Sequence, residues 1–212
     1  MIKHGDLVVA TMGRSFWIFD DLGLLRQFNG KEEALKVYQP EDAVIGNWGS
    51  PLNGTSADFK GAGSYQGVNP ANGVVIYYNL PKLADSVQVQ MEIRDASGNL
   101  VRQLSTKGDP SFNRYDGGPP SEPLISKNKG LNRFVWDMRY PTLTGAPTAY
   151  MEGSYRGHKA SPGSYSVIIK YDNKESRAEF EILPNPLYSS TPESYSEYHT
   201  FMLGIENNFS DM

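Results

Sequence analysis

Gly163-Ser164-Tyr165-Ser166-Val167-Ile168-Ile169-Lys170-Tyr171-Asp172-Asn173-Lys174-Glu175-Ser176-Arg177-Ala178-Glu179-Phe180-Glu181-Ile182 is the stretch whose reading decides the fold. Tyr165, Val167, Ile169 and Tyr171 recur at every second position, Asp172-Asn173-Lys174 offers a turn, and Ala178, Phe180 and Ile182 alternate back. A period of two puts those side chains on one face of an antiparallel hairpin. Ser161-Pro162-Gly163 fixes the turn ahead of it. The same period recurs upstream. Phe134, Trp136, Met138 and Tyr140 share one face of a long strand predicted over 130–140, with Trp136 the candidate for the centre of the core. Val87, Val89, Met91 and Ile93 alternate with Gln88, Gln90, Glu92 and Arg94. Asp95-Ala96-Ser97-Gly98-Asn99 then turns the chain into Leu100-Val101-Arg102-Gln103-Leu104. Gly73-Val74-Val75-Ile76-Tyr77-Tyr78 opens the series. With 21 Gly, 14 Pro and 13 Tyr in 212 residues, the composition fits an all-β sandwich with long loops.

Those loops cover 46–72, 105–129 and 142–160. Before them, Leu7-Val8-Val9-Ala10 and Ser15-Phe16-Trp17-Ile18-Phe19 predict a hairpin whose apolar side chains need covering, either by the rest of this chain or by a neighbour. Residues 23–40 read as a connector, with a short helix at 31–37 and an extended Tyr38-Gln39-Pro40. After Pro184-Asn185-Pro186, Thr191 is placed to cap a helix that starts with Pro192 and Glu193. Tyr198, Phe201, Met202, Ile205 and Phe209 form its apolar stripe, whose partners are expected beyond Met212.

The segment Asp6-Leu7-Val8-Val9-Ala10-Thr11-Met12-Gly13-Arg14-Ser15-Phe16-Trp17-Ile18-Phe19-Asp20-Asp21 resembles the final propeller strands of bacterial BNR-repeat, sortilin-like proteins often labelled glycosyl hydrolases, with Met12 where that family commonly has His. Val74–Tyr78, Ile93-Arg94-Asp95 through Val101-Arg102, Gly130–Tyr140 and Ala160–Tyr165 are similar to the immunoglobulin-like domain that follows the propeller, a fold shared with the flagellar hook-capping family. The resemblance spans residues 6 to about 184 and rests on packing and turn motifs. It implies an immunoglobulin-like β-sandwich with a propeller-derived N-terminal hairpin and a short C-terminal helix. It divides the chain into 1–45, the last blade and connector; 46–184, the sandwich; and 185–212, a linker and the start of a helical segment. It also implies an exported bacterial parent, periplasmic, outer-surface or secreted, whose signal peptide lies upstream of Met1. The Asp-box turns of the blades do not occur in this chain.

A formal net charge of -4 gives no broad positive field, so nucleic acid and anionic membranes are poor partners, and no apolar run reaches the length of a membrane span. No Gly-x-Ser-x-Gly elbow, phosphate loop or dinucleotide fingerprint is present. The available acids, Asp20, Asp21, Asp109, Asp116 and Asp137, sit at strand ends and turns, where solvation or capping explains them. An ion pair with Arg139 on the same strand face accounts for Asp137. His4, His158 and His199 lack metal spacing, there is no cysteine, and the turn at 95–99 lacks the bidentate Glu of a calcium loop. No catalytic residues, metal or cofactor are therefore expected. The loops carry aromatic rings, Trp48, Tyr65, Tyr115, Tyr150 and Tyr155, that either serve as lids pinning the long loops to the sandwich, the favoured reading, or stack on sugars and peptide side chains. Two expectations follow. The first is a non-catalytic structural module that caps the upstream propeller and contacts a downstream helical segment. The second is a carbohydrate- or peptide-binding accessory module using those aromatics.

Overall fold

The computed structural model describes residues 2–3, 5–13, 16–19, 22–30, 33–46, 71–144, 150 and 154–210. It is mostly β with a C-terminal helix. In chain order the elements are β1 (Ile2–Lys3), β2 (Asp6–Ala10), β3 (Phe16–Phe19), α1 (Leu22–Gln27), β4 (Lys36–Val37), β5 (Ala43–Val44), β6 (Val74–Leu80), β7 (Gln90–Asp95), β8 (Leu100–Ser105), β9 (Gly130–Trp136), β10 (Gly163–Tyr171), β11 (Lys174–Leu183) and α2 (Pro192–Ser210).

The hairpin that decides the sequence reading forms β10 and β11, in register from Gly163↔Ile182 to Tyr171↔Lys174. Asp172 at φ 48° supplies the left-handed turn residue, a conformation that Asp tolerates better than most side chains. Strand β10 also pairs with β7, which gives a five-stranded sheet in the order β5-β11-β10-β7-β8. A second sheet runs β4-β6-β9. Apolar side chains of both sheets form one buried cluster: Val37, Ile76, Tyr78 and Trp136 from the smaller sheet meet Met91, Ile93, Val167, Ile169 and Phe180 from the larger. Trp136 is the largest fully buried side chain among the described residues. Its ring lies 5.8 Å from that of Tyr165 and 6.1 Å from that of Phe180.

Two local expectations give way to tertiary contacts. The strand predicted over 130–140 stops at Trp136, because Met138 takes φ 58° and bends the chain. That bend brings the Arg139 carbonyl to 3.0 Å from the indole N–H of Trp136, so the buried donor is satisfied. Of the segment 31–37, expected to be helical, the described residues 33–37 are not: Lys36–Val37 pairs with Asn79 and Tyr78 of β6, and the helix before it is Leu22–Gln27. Strand β5 likewise joins β11, in parallel. At Gly73 the β6–β9 pairing presses backbone against backbone: φ is 153°, and a Cβ there would run into the Trp136 carbonyl.

Strands β1, β2 and β3 make a third sheet that shares no strand with the other two. Phe16, Trp17, Ile18 and Phe19 of β3 are all exposed, at 76%, 57%, 62% and 51%.

Candidate functional site

The segment after β8 builds a concavity of about 1150 Å³ between the edge strand β8 and the loop 107–124. Gln88, Gln103, Phe112, Tyr115, Pro120 and Leu124 line it. Its wall is held from behind by Arg102, whose guanidinium is buried. That group donates to Asp137 at 3.3 Å, to the carbonyls of Arg139 and Tyr140 at 3.2 and 3.1 Å, and to Glu122. Glu122 also accepts the Thr142 N–H at 2.6 Å. Burial works to raise the Glu122 carboxyl, but the bonds from Thr142 and Arg102 prevail and hold it below its ordinary range. Asp137 is thus partnered by Arg102. The expected pair with Arg139 is replaced, because Arg139 reaches the Gly157 carbonyl at 2.8 Å. At the end of β8, Leu124 forms a parallel bridge to Ser105, and Ile125 N–H donates to the Ser105 carbonyl at 3.1 Å. Pro119, Pro120 and Pro123, which have no N–H to offer, precede that bridge and suit a segment lying beside a sheet edge without extending it.

Of the aromatics singled out in the sequence, Trp48 and Tyr65 lie outside the described residues. Tyr115, Tyr150 and Tyr155 converge on one turn. Gly118 N–H donates to the Tyr115 carbonyl at 3.1 Å, and Gly117 at φ 72° supplies the positive φ of the third turn position. Tyr155 is buried beneath the turn, with its hydroxyl donating to the Gly117 carbonyl at 2.9 Å. Phe209 of α2 meets that ring edge-on at 6.1 Å. Tyr150 lies against Gly117 and is 68% exposed, whereas the Tyr115 ring folds over Gly118 and faces the cleft. Tyr155 is therefore a support, Tyr115 a lining residue, and Tyr150 a ring open to solvent. Phe112 of the cleft escaped the sequence reading because it lies in a polar run with no periodicity to mark it.

Of the acids singled out, Asp109 and Asp137 lie apart in the fold, each with its own partners. Asp109 binds the Ser111 N–H and hydroxyl at 2.8 and 2.6 Å, and these bonds hold its carboxyl low. Asp20 and Asp21 lie outside the described residues. Asp95 spends both carboxylate oxygens on Asn99, at 2.8 and 2.9 Å, as a hairpin turn does. Among the described residues no group of three or more His, Asp or Glu side chains is placed to hold a metal ion. No helix among them is long and apolar enough to cross a membrane.

The second polar constellation joins α2 to the core. Residues 138–140 pair with 158–160 through Tyr140 N–H to the His158 carbonyl at 3.0 Å and Ala160 N–H to the Met138 carbonyl at 2.7 Å. This holds His158 in a buried position under Tyr140, with ring centroids 4.3 Å apart and nearly parallel. One carboxylate oxygen of Glu206 receives both the backbone N–H and the Nδ1 side of His158, at 2.8 and 2.9 Å. On the other side, His158 Nε2 lies 2.7 Å from His199 Nδ1. His199 also stacks on Tyr140, at 5.1 Å. Nothing in the sequence signals this group, since 41 residues separate the two histidines; only the strand bend at Met138 and the return of α2 bring them together. Alternating steps of four and three along the helix give the side turned to the core as Tyr195, His199, Met202, Glu206 and Phe209, with Glu206 buried and the others half-buried. Met202 and Phe209 of the predicted apolar stripe lie on that side, whereas Tyr198, Phe201 and Ile205 of it are exposed at 47%, 66% and 45%.

No family model, curated protein or solved structure matches the chain.

Proposed function

We propose that this chain is a non-catalytic structural module of a larger exported BNR-propeller protein of the glycosyl hydrolase-like type. In this reading the two core sheets are an immunoglobulin-like β-sandwich, the β1–β3 sheet is the last blade, and the module caps the propeller and contacts a downstream helical segment. The observation that carries the reading is β3. Four consecutive apolar side chains stand exposed on a sheet that shares no strand with the core, and water penalises a strand that is apolar on both faces. The resemblance of residues 6–21 to closing propeller strands says what covers it. The test is association in trans: the upstream region of the parent protein is mixed with this chain and the mass followed by light scattering. A stable one-to-one complex is expected, with at least a ~10-fold loss of affinity in Ile18→Asp, equivalent to about 1.4 kcal/mol. Absence of association for the wild-type chain contradicts the proposal.

A second reading, an accessory module that binds carbohydrate or peptide, is favoured by the cleft itself. Phe112 and Tyr115 supply aromatic faces, and Gln88 and Gln103 supply amides that both donate and accept. Oriented polar groups on an apolar wall are the usual make-up of a ligand site. A glycan and peptide array with the purified chain checks this: specific binding is expected to vanish in Tyr115→Ala, and silence of the wild-type chain on both arrays overturns it.

A further inference from the structure

We propose that Glu206, His158 and His199 form a proton-operated latch that holds α2 on the core sheets while at most one of the two imidazoles is charged and releases it when both are. The hydrogen positions follow from the partners. A carboxylate accepts and does not donate, so Nδ1 of His158, 2.9 Å from Glu206, carries its hydrogen. Neutral His158 then presents a lone pair at Nε2, and the 2.7 Å contact is made by a hydrogen donated from His199 Nδ1. A first proton enters at the free Nε2 of His199 and leaves every contact in place. A second proton has only Nε2 of His158 to occupy. There it faces the Nδ1–H of His199, donor against donor and cation against cation, in a site where His158 is sealed from water. The contact has room for one hydrogen between the rings, so a proton on each imidazole breaks it.

The surrounding groups sharpen this behaviour. From α2, Glu206 faces both imidazoles, and Tyr198 sets its ring edge on His158 at 6.1 Å. After β9, Tyr140 covers both rings; burial first, then Asp95 and Glu206, push its hydroxyl up to about 12, so it stays neutral. Asp95 at the end of β7 also acts on His199. The flanking cations are engaged elsewhere, Arg139 with the Gly157 carbonyl and Lys159 with the Gly46 carbonyl. Burial, followed by the neighbouring His158, lowers His199 below the ordinary histidine value, against the opposing pull of Glu206 and Asp95. A proton on a histidine lowered in the docked state weakens docking as pH falls past its free value of about 6.5, without breaking a contact; the second proton, on His158, does that.

Amide hydrogen exchange on the whole chain at about pH 7.5 and about pH 5, corrected for the intrinsic rates, spans that titration. Protection of 192–210 is expected to fall at least ~10-fold at the lower pH while β10 and β11 keep theirs. In His199→Gln, which still donates a hydrogen to His158 but takes up no proton, the fall shrinks to within about 2-fold. In Glu206→Gln the helix is already less protected at the higher pH. Imidazole resonances of the wild-type chain give an independent readout: two coupled steps are expected, the second coinciding with loss of helix protection. Equal wild-type protection at both pH values, an undiminished fall in His199→Gln, or two independent titrations each overturn the latch.

Discussion

The last hairpin and the first sheet use the same antiparallel pairing and end in opposite environments. In β10 and β11 the inward positions Tyr165, Val167, Ile169, Ala178, Phe180 and Ile182 are buried, and Glu175, Glu179 and Glu181 point to solvent. In β3 no position is polar, and all of Phe16-Trp17-Ile18-Phe19 is exposed. Alternation describes a strand with one wet face, which a pair of facing sheets can bury by itself. An unbroken apolar run describes a strand that needs cover on both sides. The pattern of a strand therefore tells how many neighbours it requires, and β3 requires more than its own sheet provides.

Substitutions in the two regions sharpen the contrast. Trp136→Ala removes the ring on which Tyr165 and Phe180 pack and is expected to cost about 3–5 kcal/mol in denaturant unfolding. Arg102→Ala takes a buried cation from between Glu122, Asp137 and two carbonyls. Because Asp137 and Glu122 are partly solvated, the cost is about 1–3 kcal/mol, accompanied by weaker binding of any ligand in the cleft. Thr191→Ala deletes the cap whose hydroxyl receives the Ser194 N–H at 3.3 Å, and about 0.5–1 kcal/mol of local α2 protection goes with it. At the other extreme, Trp17→Ser leaves the unfolding midpoint of the isolated chain within about 0.5 kcal/mol of wild type, because more than half of the side chain stands in solvent. A loss of several kcal/mol in Trp17→Ser would break the comparison.

Most of the core was legible in the sequence, and the reason is periodicity. Tyr165, Val167, Ile169, Met91, Ile93 and Trp136 were all placed inward by the two-residue repeat and are buried. Thr191 was readable as a cap because its chemistry is local. The connector was not readable. Lys36–Val37 becomes a strand only because β6 lies beside it, about forty residues away in sequence. The helix face is legible only in part for a related reason: the apolar stripe includes Met202 and Phe209, which dock, but also Tyr198, Phe201 and Ile205, which are exposed, because docking uses the hydrogen-bonding capacity of His199 and Glu206 as well. Of the expected loop aromatics, Tyr155 proves to be a buried support. Tyr115 and Tyr150 remain on the surface, and Phe112, without any pattern around it, shares the cleft with Tyr115.

The central claim, that the first sheet is made to be covered, is tested most directly by amide exchange of residues 6–19 in this chain and in a longer chain carrying the upstream region. Fast exchange alone and at least a ~10-fold slowing in the longer chain is the expected result. Equal exchange rates in the two would contradict it.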